Sequence, residues 1–390
     1  MQRNLAASAT PSLSLSALME REVVEPRDLI ERGDRAQKQD QFALFTLPNY
    51  AEAEQAFVKL LEVNNLDENL DQHTRLQTVF ESTVAAALAV AYSDEYQSDA
   101  AHLFLHRILY RINRLKFFWY DDLNRYTNER SLYLQTIRNQ IEAAWQAWEL
   151  SQLDAASLKR LNVVEILRDW SAADLDPELS DTGRYFQDEM TLAGYRKMLE
   201  IASLDGLVEA SQLSRTLGGV ANEIQSVMTR LLVEEYGVGK LARKHSTHFA
   251  TMLSELGMST EPEAYFDAVP WEVLATINHS FLLSERKRDY LRYVGGLLHT
   301  EISVPAAFSP YSAAAERLGL SAEAMSYWTL HIKVDKLHGR WMLDEVALPL
   351  VERYPHDAWE LLLGYKQQRF MGDRAGEAVA RAAKVADREE

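Results

Sequence analysis

His331, Asp335 and His338 stand at offsets of four and seven residues in a stretch, 325–343, with no helix breaker before Gly339. On an α-helix those offsets bring three side chains onto one stripe. Two imidazoles and a carboxylate so aligned are half of a transition-metal site. Glu209, Glu235, His245 and Glu301 also lie in helical context. Together the seven suggest a carboxylate-and-histidine cage for two iron ions. Ferrous iron favours imidazole and carboxylate ligands and leaves positions open for dioxygen. In helical bundles such ligands project inward from facing helices.

The elements that must position them are read from periodicity and punctuation. Helices are expected at 50–64, 71–92, 97–120, 128–150 and 155–169, then at 183–216, 219–236, 241–256, 271–303, 310–318, 322–338, 340–354 and 356–371. Glu209 falls inside the long helix 183–216. Glu235 ends the next one, and His245 opens the one after it. Residues ten apart on an unbroken helix do not share a face, and Gly237-Val-Gly239 removes that objection by letting the chain re-aim. Pro305 is expected to end a helix just after Glu301. No strand pattern is convincing, and 41–47 is the only ambiguous segment.

Each residue also has a bland reading. A lone helical glutamate is ordinarily solvated, so Glu209 and Glu301 carry weight only in company. Glu235 beside Glu234 also reads as a charged helix end, and His245 as a cap on the preceding turn. Asp99, His102 and His106, at offsets of three and seven, form a rival triple. No further histidine is placed near it as His245 is near the later triple, so it reads as a partly packed helix surface.

The composition narrows the field. Glycine (16) and proline (10) are scarce in 390 residues, which favours an all-α protein. Cysteine is absent, so disulfides, thiolate metal sites, iron–sulfur clusters and cysteine nucleophiles are excluded. The formal charge, 41 − 58 = −17, argues against nucleic acid and against an anionic membrane. The longest apolar run, 83–92, is too short to span a bilayer. The N-terminus lacks the apolar core of a secretory signal, so a cytoplasmic location is expected. The acidic, proline-containing stretch 171–181 is the expected linker. The chain then divides into a flexible arm at 1–40, an N-terminal helical region at 41–180, a catalytic region at 181–375 and a tail at 376–390 expected to fray.

Residues 200–371 resemble the haem-oxygenase-like diiron oxidases and oxygenases, iron-containing redox enzymes of the TenA/PqqC-like superfamily. The resemblance rests on Glu235-Tyr-Gly-Val-Gly239, on His245 ten residues after the glutamate, and on Tyr327-Trp328-x-x-His331-x-x-x-Asp335-x-x-His338. His248 stands where the family usually has leucine, and Trp328 replaces phenylalanine. Glu209 and Glu301 match the family's remaining glutamates by spacing.

That resemblance implies a haem-oxygenase-like helical bundle with an additional N-terminal helical region. It implies metal ligation by Glu209, Glu235, His245, Glu301, His331, Asp335 and His338, with two iron ions as cofactor and dioxygen as co-substrate. The implied activity is oxidation of a small amino- or carboxylate-bearing metabolite by N-oxygenation, desaturation, C–C cleavage or decarboxylation, with an external electron donor. Some relatives form dimers through an N-terminal extension, so a homodimer is expected, with the aromatic run at 115–120 as a contact; plain core packing is its other reading. Two alternatives remain open at this level: a metal-binding scaffold protein, and a single-turnover enzyme that modifies its own residues.

Overall fold

The computed structural model describes residues 48–93, 98–117, 123–219 and 221–389. The expected arm at 1–40, the ambiguous segment 41–47 and part of the aromatic run at 115–120 lie outside them. Helices α1 (Tyr50–Leu61), α2 (Thr74–Ala91), α3 (Asp99–Phe117), α4 (Leu132–Gln152) and α5 (Val163–Leu175) come first. Then follow α6 (Leu192–Gly206), α7 (Asn222–Glu235), α8 (His245–Glu255), α9 (Trp271–Glu285), α10 (Tyr290–Arg317) and α11 (Ser326–Trp341). Helices α12 (Leu348–Arg353) and α13 (Trp359–Glu389) complete the set of α-helices longer than four residues among the described residues. No strand occurs among the described residues, so the all-α expectation holds. No helix among them is long and apolar enough to cross a membrane.

Local chemistry accounts for the helix starts. Side chains of Asn49, Ser131, Asn162 and Thr191 accept hydrogen bonds from backbone N–H groups in the first turns of α1, α4, α5 and α6, satisfying donors that no helix can satisfy itself. Helices α1 and α2 are joined by a buried aromatic contact, Phe57 against Phe80 with ring centroids 4.7 Å apart. Helices α3 and α9 are clamped in the core: Asn113 donates to Asn278 at 3.0 Å, and Asn278 donates to the His106 carbonyl at 2.9 Å.

Helix α10 is the axle of the site. It crosses α13 at two glycines. A Cβ on Gly364 would lie 1.9 Å from the Arg292 carbonyl oxygen, and one on Gly295 would lie 2.0 Å from that of Leu361. Only the absence of side chains lets the two backbones approach so closely. Helix α11 meets α10 in a similar way: a Cβ on Gly339 would lie 2.8 Å from Ile302 Cδ1 and 3.2 Å from the Glu301 carbonyl oxygen.

The structure corrects three expectations. Pro305 does not end its helix; α10 runs through Pro305 and Pro310 to Arg317. Proline lacks only its own N–H and so removes the bond to the residue four before it, here Glu301. Glu209 is not in a long helix: α6 stops at Gly206, and Glu209 sits in a turn whose next residue, Ala210, has φ 63°. Gly206 stands at the end of α6, but the turn after it holds neither proline nor glycine, and the sequence reads on as helix. The tail is helical to Glu389, with Ala378, Ala380 and Ala383 buried. Its Asp387 accepts hydrogen bonds from the backbone of Thr191 (3.2 Å) and Gly194 (2.9 Å) and from Tyr185 Oη (2.6 Å), tying α13 to the start of α6.

Candidate metal centre

Four segments converge on one buried point. Helix α7 ends at Glu235 and is followed by Gly237 (φ 64°), Val238 (φ 53°) and Gly239 (φ 73°). A Cβ on Gly237 would come within 2.5 Å of the backbone at Arg243 and Lys244. The turn therefore folds back tightly, and His245 Nδ1 arrives 2.8 Å from Glu235 Oε2. The turn after α6 brings Glu209, α10 brings Glu301, and α11 brings the aligned triple. His245, His331, Asp335 and His338 are at most 4% exposed.

All seven expected residues come together, as two overlapping groups. Ligand atoms of Glu209, Glu235, His245 and His331 lie within 4.8 Å of one another, as do those of Glu235, Asp335 and His338. Glu235 belongs to both. Glu301 adjoins the second group, its Oε2 lying 3.3 Å from His338 Nδ1.

The imidazoles are oriented from behind. His331 Nδ1 donates to the Tyr327 carbonyl, one helical turn back, at 2.7 Å. That leaves Nε2 facing His245 Nδ1 and Glu209 Oε1, each at 3.1 Å. His338 is turned the other way: Nε2 meets Glu234 Oε2 at 3.1 Å, while Nδ1 lies 3.3 Å from both Asp335 and Glu301 and 3.4 Å from Glu235. A ring nitrogen bonded outward fixes the tautomer that points its partner nitrogen inward. Tyr327 Oη donates to Glu209 Oε1 at 2.9 Å.

Burial of so many ionisable groups is costly unless they are paired. Burial would lower His331, but the charges of Glu209, Asp335 and Glu235, with the Glu209 hydrogen bond, push it up to about 10. The carboxylates of Asp335, Glu301 and Glu235 close to its Nδ1 likewise overcome burial at His338 and push it up to about 11. Burial, helped by the charge of His331, takes His245 down to about 4. Burial raises Glu235 well above the carboxylate range, reinforced by Glu209 and Glu301; it raises Glu301 and Asp335 as well. Burial would also raise Glu209, but His331 holds it low.

The rival triple does something else. His102 and His106 are buried, not on a surface, and His102 stacks on Trp271 with centroids 4.3 Å apart. Asp99 accepts from the Trp271 indole at 3.2 Å. These residues build an aromatic core. The two departures from the family pattern also find partners: His248 Nδ1 lies 2.7 Å from Ser326 Oγ, and Trp328 Nε1 donates to Tyr195 Oη at 2.8 Å.

A cavity of about 210 Å³ opens onto the cluster and is lined by five of its members, Glu209, Glu235, Glu301, His331 and Asp335. Asp205 lines it too, and its carboxyl is pushed up to about 6 by burial and by Glu209. The sequence alone assigns no role to Glu234, Tyr327 or Asp205, although Tyr327 opens the motif that contains His331 and Glu234 lies beside Glu235.

Residues 196–369 match the family described as "Iron-containing redox enzyme". A curated relative, nitrosourea synthase of Streptomyces achromogenes subsp. streptozoticus, is 29% identical over 150 residues, 38% of this chain. The chain spans about a third (32%) of that relative's length.

Proposed function

We propose, for a chain whose residues 196–369 belong to the iron-containing redox enzyme family, an oxidoreductase that uses two iron ions and dioxygen to oxidise a small metabolite. The observation that carries this reading is the pair of overlapping ligand groups hinged on Glu235. A carboxylate common to two histidine-and-carboxylate sets would suit a pair of iron ions.

The donor set fits the ions. Asp335 Oδ1, His338 Nδ1 and Glu209 Oε2 are buried without a well-formed hydrogen bond, although carboxylates and imidazoles stand 3.3 Å apart around them. Buried polar atoms in such a state are expensive, and cations between them resolve the cost. Four carboxylates also balance two dications.

Glu209, His245 and His331 would hold one ion, and Glu301, Asp335 and His338 the other, with Glu235 shared. Ferrous ions held there would supply electrons and open coordination positions for dioxygen reduction. The chain supplies the rest. The Tyr327 hydroxyl holds Glu209 in place. Phe308 and Tyr327 pack against the His331 ring, with centroids 5.3 and 4.4 Å away, and keep water from that side. Electrons for further turnovers come from an external donor.

The test is anaerobic reconstitution with ferrous iron, followed by measurement of bound iron and of dioxygen uptake. About two irons per chain are expected, with content lowered by His331→Ala and by His338→Ala. Metal content unchanged by both substitutions contradicts the proposal. A further outcome concerns Glu234, whose contact with His338 Nε2 fixes the ring. Loss of such an outer partner typically weakens metal binding about 10–100-fold. Glu234→Ala should do so for one of the two ions in a stepwise iron titration; two wild-type binding steps would show that Glu234 orients nothing.

A further inference from the structure

Two cavities of different size meet at one pair of side chains. His279, on α9, lines the cavity beside the cluster. Its Nδ1 lies 3.6 Å from Oε1 of Glu149, on α4. Glu149 lines a second recess of about 10 Å³, together with Trp148, Trp271, Phe370 and Arg374. That is about the room one water needs. Phe370 and Arg374 are the partly exposed residues of this lining. The Arg374 guanidinium lies over the rings of Trp148 and Trp271, 5.1 and 4.7 Å from their centroids. The recess therefore reaches solvent beneath Arg374.

Packing alone does not call for these polar groups. Glu149 is 0% and His279 1% exposed, in a core otherwise rich in tryptophan. Gln367 Nε2 donates to Glu149 Oε1 at 2.7 Å. Glu149 Oε2, His279 Nε2 and the Trp148 indole N–H have no hydrogen-bond partner in the protein. A carboxyl and an imidazole so placed are costly to bury, and an apolar pair would fill the space.

The charges suit proton traffic. Burial pushes the Glu149 carboxyl up to about 7, against the Gln367 hydrogen bond and the charges of Arg292 and Arg374. Arg292 is itself held by Glu360, and Glu272 in the recess by Arg381. Burial, with Arg292, takes His279 down to about 3, so its ring is neutral, with one N–H and one lone pair. Burial keeps the neighbouring Tyr92, His102 and His106 uncharged as well.

We infer that Glu149 and His279 form a proton inlet, leading from solvent through the recess under Arg374 into the cavity beside the metal centre. Protonated Glu149 gives its proton to His279 Nδ1 while Nε2–H releases one into the cavity. A ring flip resets the imidazole, and the carboxylate is reprotonated from the recess. One proton enters, one leaves, and no electron moves. The purpose rests on the diiron reading: each electron that reaches dioxygen on its way to water takes up one proton. A cavity filled by substrate has little room for water, so these protons need a way in through its wall.

Infrared spectroscopy of the iron-free chain over a pH titration tests the inlet itself. Subtracting Glu149→Gln from wild type should isolate one carboxylic-acid band, titrating with a midpoint of about 7 and shifting within seconds of transfer to heavy water. A band that exchanges only over hours, or no band lost in the variant, overturns the proposal. Ferrous protein mixed with dioxygen and a pH indicator then reports proton uptake. Glu149→Gln and His279→Gln should each slow uptake at least about tenfold, with bound iron at the wild-type level, and Glu149→Asp should keep most of the rate. Only protonated Glu149 donates, so the wild-type rate should fall as pH rises through about 7, and the Glu149→Gln profile should be flat there. Unchanged uptake in both glutamine variants overturns the inlet. If Glu149→Gln does not fold, His279→Gln and the wild-type pH profile decide. A chain that takes no iron yet exchanges Glu149 rapidly would defeat the diiron reading and leave the inlet standing; iron binding and dioxygen uptake with a sealed Glu149 would do the reverse.

Discussion

Glu235→Gln is expected to empty both metal positions in one step. The amide has nearly the volume of the carboxylate, so helix α7 and the Gly237 turn stay in place and circular dichroism stays at the wild-type level. What goes is the charge shared by the two ligand groups and the acceptor that meets His245 Nδ1 at 2.8 Å. Bound iron after anaerobic reconstitution should fall from about two per chain to well below one. His331→Ala and His338→Ala, by contrast, each remove a ligand from one group only. Were Glu235→Gln to retain an iron content above that of either histidine variant, Glu235 would not be the hinge of the site.

The second large effect is on stability. Gly364→Ala puts a methyl group 1.9 Å from a backbone oxygen of α10, and neither backbone can yield without separating α10 from α13. Overpacking of this kind typically costs about 1–3 kcal/mol, and more where nothing flexible can move; we expect the upper end, about 3 kcal/mol. Gly372→Ala, two turns further along α13, meets nothing within 4 Å. There alanine should stabilise by about 1 kcal/mol through helix propensity alone. Denaturant unfolding of the two variants checks the pair, and a loss of under about 1 kcal/mol for Gly364→Ala would show that the crossing is looser than its backbone contacts indicate. Because α10 carries Glu301, the same variant should also weaken iron binding.

The local motifs of the site were legible, and its longer-range supports were not. The triple at His331, Asp335 and His338 declared itself through helical spacing, and the Gly237-Val-Gly239 break announced the re-aiming that joins Glu235 to His245. These signals are local, and local geometry follows from local sequence. The sequence puts Glu209 in the cluster but on the wrong element, because one glycine, Gly206, is compatible with a continuing helix and the left-handed Ala210 that makes the turn carries no sequence signal. Pro305 reads as a stop in sequence. In a helix packed on both α11 and α13, tertiary contacts outweigh one missing hydrogen bond. His102 and His106 were read as half-surface because the indole that covers them, Trp271, is more than a hundred and sixty residues away in sequence. Glu234 looked like a spare surface charge, and only the position of His338 gives it a purpose.

The proposed chemistry depends on two ions sharing Glu235. Crystals of the chain reconstituted with ferrous iron, with anomalous diffraction recorded on either side of the iron absorption edge, address that claim most directly. Two peaks are predicted, one among Glu209, His245 and His331 and one among Glu301, Asp335 and His338, both in contact with Glu235. A single peak, or a pair of which one lies away from Glu235, would contradict it.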